Sequence, residues 1–211
     1  MSKTTYRTTA AVIGLCAVIG AGCGSYIREG HGPTQATVAL LEGAPGAEPS
    51  KFSGTLSSDV LTNIKKDDNG VKVVVPTIFS DPGRVTVTLM LKDPGTAASP
   101  TAPTAVNQVT FNRYRVVYTR SDGRNTPGVD VPYPFDSATT FTATVGEAVT
   151  AGFELVRVTA KEEAPLRALI NNPTFIGVIA EVTFYGKDRA GNDVTASGAM
   201  GITFGNFGDP D

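Results

Sequence analysis

The chain has 211 residues, 41% hydrophobic and 8% aromatic, with 18 basic and 20 acidic side chains and a formal net charge of −2. That balance lacks the clustered positive field that holds a phosphate backbone, so nucleic acid is excluded as a partner. Two cysteines and one histidine leave little material for a disulfide framework, a zinc set or a histidine-based triad.

Lys3 and Arg7 make the N-terminus positive, and residues 11–22 form an uncharged apolar stretch, the layout of a secretory signal peptide. The stretch falls short of the ~20 apolar residues that a membrane-spanning helix needs. Ile19-Gly20-Ala21-Gly22-Cys23 resembles a bacterial lipoprotein signal, with Gly20 standing where that family carries Leu, Val or Ile. The resemblance covers residues 1–24. It implies cleavage after residue 22 and acylation of Cys23, and Gly24 after the cysteine implies an outer-membrane or cell-surface address. Removing Lys3 and Arg7 with the leader leaves 16 basic against 20 acidic residues, a net charge of about −4. With Cys16 discarded and Cys23 acylated, no thiol remains for a disulfide, a metal or a nucleophile.

Residues 23–57 read as a lipidated N-terminus and flexible tether, because Gly, Pro, Ala, Ser and Thr bury too little surface to offset chain entropy. The patch Val38-Ala39-Leu40-Leu41 offers the alternative of an edge strand. His31, between Gly30 and Gly32, falls in this tether as a solvated residue. Residues 58–205 are enough for one domain with a sizeable core.

Within that domain, 71–79 is a Val-rich run that Pro76 marks as an edge or bulged strand. Ser80-Asp81-Pro82-Gly83 reads as a turn. Val85, Val87, Leu89 and Leu91 then alternate with Thr86, Thr88, Met90 and Lys92, giving a strand with one buried face. Residues 96–108 read as a loop. Residues 109–120 form a strand whose buried face switches: Val109 and Phe111 share the parity of Arg113 and Arg115, whereas Tyr114, Val116 and Tyr118 take the opposite parity, so a bulge is expected. Strands follow at 138–145 and 149–159, joined by a hairpin-like link at Gly146-Glu147. One short helix is expected near 160–170, with Pro165 at its start and Leu166, Leu169 and Ile170 on its apolar side. Residues 176–187 and 193–204 both alternate and form a closing hairpin, and 206–211 is a polar tail.

About seven strands without βαβ spacing predict an all-β fold, a two-sheet antiparallel sandwich. The segment 184–192, with Asp188-Arg189-Ala190-Gly191-Asn192 at its turn, resembles the final hairpin of immunoglobulin-like domains in bacterial surface proteins. That resemblance implies an immunoglobulin-like sandwich, and no Cys–Trp–Cys core accompanies it.

Candidate chemistry is sparse. No spacing marks an acid–base pair or nucleophile, so an enzyme is not expected and neither is a cofactor; a hydrolase is the third-ranked reading. Asp188, Asn192 and Asp193 place hard oxygens within six residues as calcium candidates, with Asp81 or Asp122 needed to complete the shell, while turn capping is the ordinary role for such acids. Tyr114, Tyr118 and Tyr133 are the candidate ligand or partner face, with Arg113, Arg115 and Arg120 nearby to help stack on a sugar or a peptide, while the ordinary role for such rings is to point into the core or cover sheet edges. The expected function is a structural, adhesion or assembly module of the envelope, tied to the membrane by acyl chains and bound to other envelope or surface proteins. A carbohydrate-binding module using the tyrosine face is the alternative.

Overall fold

A computed structural model of the chain describes residues 32–208. The segment expected to be a signal peptide, Cys23 and His31 lie outside the described residues. The all-β class expected from the alternation is what forms, in several antiparallel sheets. The larger has five strands in the order β2 (Thr55–Asp59), β12 (Asp193–Gly205), β11 (Ile176–Asp188), β8 (Val109–Thr119) and β9 (Phe135–Ala143). A three-stranded sheet runs β1 (Thr34–Gly43), β5 (Asp81–Leu91), β10 (Ala148–Val156), and two small hairpins pair β3 (Thr62–Asp68) with β4 (Val71–Thr77) and β6 (Gly95–Thr96) with β7 (Ser99–Pro100). One pair departs from the antiparallel expectation, since β2 runs parallel to β12.

Both principal sheets contribute side chains to one core. Val178, Ala180, Val182 and Phe184 of β11, Ala196, Met200, Ile202 and Phe204 of β12, and Val85, Val87 and Leu89 of β5 are all buried, as their period-two spacing demands. Tyr114 of β8 lies at the centre, with ring centroids 5.2 Å from Phe153 of β10 and 5.9 Å from Phe184. Each such ring contributes on the order of 1.5–3 kcal/mol by burial, and an aromatic pair adds ~0.5–1.5 kcal/mol. Gly198 of β12 sits where β1 comes closest, and a Cβ there would lie 2.9 Å from Val38 Cγ1. A side chain at that position would wedge the sheets apart.

The parity switch expected in β8 is present. Val109 and Phe111 are buried, then Tyr114, Val116 and Tyr118, and the ladder to β9 shifts register between Phe111 and Arg113. The facing ladder shifts between Tyr185 and Gly186, so the bend is shared across two strands.

Other expectations are corrected. The tether expected over 23–57 gives way to strand at Thr34, so the folded domain starts well before residue 58. In β1, Ala36 and Val38 pack on the core, a bulge between Val38 and Leu40 resets the parity, and Leu41 is buried while Leu40 faces outward. The turn expected at Ser80–Gly83 is instead the start of β5: Asp81 pairs with Val156 and Gly83 with Gly43, and a bulge in β10 accommodates the step past Pro82. Gly146-Glu147 closes no hairpin, because β9 and β10 belong to different sheets and the link carries the chain between them. The single helix splits into α1 (Val158–Glu162) and a 3-10 turn (Leu166–Asn171), since Pro165 has no N–H to continue a helical ladder. The described start of the tail is held: Phe207 stacks on Phe175 at 5.3 Å, and its N–H donates to Asp59.

Candidate functional site

The structure separates the three candidate tyrosines. Tyr114 and Tyr118 are 1% and 2% exposed. Their hydroxyls donate to the carbonyls of Glu154 (3.0 Å) and Leu155 (2.7 Å) on β10, cross-linking the two sheets from within, and burial pushes the Tyr118 phenol above its usual range. Tyr133 is exposed and lies against Gly128, whose φ of +75° and lack of a side chain make room for the ring. The three therefore form no common face. The candidate face is lost because the bulge in β8 turns Tyr114 and Tyr118 inward, into the core role set beside it above. Arg113 and Arg115 point outward and share Asp136, at 2.9 and 2.6 Å.

The turn acids do not converge either. Asp188 is buried; its Oδ1 accepts the Asn192 N–H and its Oδ2 accepts the Asn192 side-chain amide, both at 2.8 Å. Asp193 pairs with Lys187. Asp122 is taken up by Arg120 and Arg124, whose hydrogen bonds hold its carboxyl well below the usual carboxylate range. These acids cap turns and pair with cations, the ordinary role set beside calcium above. Among the described residues, no group of three His, Cys, Asp or Glu side chains is placed to hold a metal.

Two features escaped the sequence. The first is the β3–β4 ribbon, a two-stranded sheet of its own. Asn69 (φ 54°) and Gly70 (φ 86°) form its two-residue loop, where both positions need positive φ, and Asp67 Oδ1 accepts the Gly70 N–H at 2.7 Å. Asp68 opposite Val71 sets the register, which places Val71, Val73, Val75 and Ile64 on one face and Lys72 and Val74 on the other. Val71, Val73 and Val74 are 63%, 41% and 59% exposed. Residues flanking such a loop are hydrogen-bonded to each other, so the N–H groups of Lys72 and Val74 point away from β3 and offer a free edge. Pro76 occupies the next outward position, where its missing N–H costs the ribbon nothing. The Val-rich run was legible as an edge strand. Its partner β3 was not, because Lys65-Lys66-Asp67-Asp68 has no apolar alternation.

The second is a buried ion pair. Asp81 at the start of β5 and Lys161 of α1 are 0% and 1% exposed, with Lys161 Nζ 2.9 Å from both carboxylate oxygens. Ser58 Oγ donates to Asp81 Oδ2 at 2.5 Å and the Gly46 N–H donates to Oδ1 at 2.8 Å. Gly46 must be glycine for this approach, since a Cβ would overlap Ser80 and Phe79. Burial raises the Asp81 carboxyl above its usual range, against the opposing pull of Lys161 and Ser58. Beside the pair lies a half-open cleft of about 210 Å³ walled by Phe79, Asp59, Thr62, Phe207 and Lys161 itself. In the sequence Asp81 falls in an expected turn and Lys161 at the start of the helix expected near 160–170, and neither expectation joins them.

No protein-family model matches the chain, and no curated protein or solved structure matches it either.

Proposed function

We propose that this protein is a non-catalytic envelope lipoprotein, an immunoglobulin-like sandwich acylated at Cys23, that docks another envelope or surface protein on its β3–β4 ribbon. The observation that carries this reading is the ribbon itself. Three valines exposed on a two-stranded sheet with open edges are costly in water, and a two-stranded ribbon is marginal without further strands or packing. A partner strand added along β4 would satisfy the outward Lys72 and Val74 groups and set its own side chains alongside Val71, Val73 and Val75. Elsewhere on the surface several charged side chains are engaged within the chain, as in Arg84–Glu42 at 2.6 Å and the Asp136 and Asp122 clusters.

The anchor supports this role geometrically. Ten residues, 24–33, separate Cys23 from the first strand, a reach of at most ~35 Å. The domain is thus kept near the membrane, where two or three acyl chains hold it persistently. A partner on this ribbon would be another protein of the same envelope layer.

Affinity capture from detergent-solubilised native envelopes, run side by side with wild type and Val73→Lys, tests the docking. The expected result is a stoichiometric partner recovered by the wild type and lost with the variant; equal recovery by both would sink the ribbon as the docking element. Mass analysis of the N-terminal peptide tests the anchor, with an acylated Cys23 expected and an unmodified thiol fatal to it.

A further inference from the structure

The Asp81–Lys161 pair is built for more than an ion pair. Bringing two charges to 0% and 1% exposure costs several kcal/mol per ion, and a surface bridge or an apolar pair would have tied α1 to β5 at lower cost. What the arrangement supplies is an amine and a carboxyl at 2.9 Å with a separate donor on each carboxyl oxygen. We propose that Lys161 Nζ and Asp81 Cγ condense to an intramolecular amide, releasing one water.

The atoms balance without an oxidant, a cofactor or a second protein. Lys161 passes one ammonium proton to Asp81 Oδ2, giving the neutral amine and neutral acid that amide formation requires, a transfer that burial of the carboxylate assists. The raised carboxyl of Asp81 fits that transfer. The amine lone pair attacks Cγ and forms the Nζ–Cγ bond, and negative charge develops on Oδ1, where the Gly46 N–H stands 2.8 Å away as an oxyanion donor. The second amine proton passes to Oδ2, 2.9 Å from Nζ, while the Ser58 hydroxyl, 2.5 Å from Oδ2, supports the departing oxygen by its hydrogen bond. The Cγ–Oδ2 bond breaks, water leaves, and the carbonyl reforms at Oδ1 with the third proton remaining on the amide nitrogen.

Two features favour completion. Holding the two groups in contact removes the entropy cost of bringing them together, an effect that reaches ~10⁵–10⁸ M of effective concentration in the best-oriented intramolecular reactions. The released water has an exit, because Lys161 forms part of the wall of the half-open cleft. The bond would join residues 80 apart in sequence and fasten α1 to the central strand of the three-stranded sheet, covalently, in a chain whose two cysteines are Cys16 and Cys23.

Tryptic mapping of the purified, denatured full-length protein tests the proposal directly. Condensation blocks cleavage after Lys161 and yields a branched species joining residues 73–84 to residues 158–167, lighter by one water than the two linear peptides. Finding only linear 73–84, with normal cleavage after Lys161, would overturn it. Ser58→Ala removes the hydrogen bond on Oδ2: a smaller branched fraction is expected, and an unchanged fraction would overturn the part assigned to Ser58.

Discussion

The β11–β12 and β3–β4 hairpins share a topology and meet opposite fates. Each joins two antiparallel strands by a short turn in which an aspartate takes a backbone N–H, Asp188 from Asn192 and Asp67 from Gly70. In β11–β12 the inward face meets the three-stranded sheet and is buried along its length; in β3–β4 the valines are left in water. Apolar residues in a strand therefore do not decide burial by themselves. What decides it is whether a second sheet stands opposite, and for β3–β4 none of the described elements does so.

The sharpest break of this contrast is in the core hairpin. Phe184→Ala removes a ring packed against Phe153, Phe141 and Tyr114 and is expected to cost ~3–5 kcal/mol, read as a lowered denaturant midpoint with an unchanged slope. A loss under 1 kcal/mol would mean that the two sheets do not share a packed core. Next in size is Gly198→Ala, whose methyl would lie 2.9 Å from Val38 and force the sheets apart, for ~1–3 kcal/mol of overpacking. The same readout checks it, and a neutral result would show that β1 yields easily.

How much of this was legible depended on whether the information was local. Alternation over 176–187 and 193–204, and the parity change between Phe111 and Tyr114, sit within a few residues and predicted both the hairpin and the bulge. The strand β1 was obscured because its own bulge breaks the alternation and its neighbours are rich in Gly, Pro and Ala. Tyr114 and Tyr118 were placed on a strand correctly, but their direction depends on which sheet stands opposite. Asp81 and Lys161 are 80 residues apart, and the pairing follows from topology that no spacing rule reports. The candidate site was accordingly the least readable part of the chain.

Gly70→Ala moves the test to the exposed ribbon. Gly70 sits at φ 86° with open space around its absent Cβ, so the substitution meets backbone strain alone, ~1–2 kcal/mol. Because the ribbon forms a separate sheet, the cost should appear as local opening. Amide exchange at Lys66 and Val73 is expected to quicken roughly fivefold or more while global melting stays put. A matching fall in global stability would mean that the ribbon folds as one unit with the core.

The smallest expected effect on stability is also the one that bears most on function. Val73 is 41% exposed on a sheet with nothing packed over it among the described elements, so Val73→Lys forfeits little burial and should change unfolding free energy by no more than about 0.5 kcal/mol. The same change replaces the central valine of the Val71, Val73 and Val75 row with a charge beside Lys66, its cross-strand partner, where a bound partner would have to desolvate both. Stability near that of wild type together with lost capture would assign the exposed valines to recognition. A clear drop in melting temperature would instead mean that the ribbon packs against the chain itself, and the difference between the two hairpins would be one of degree.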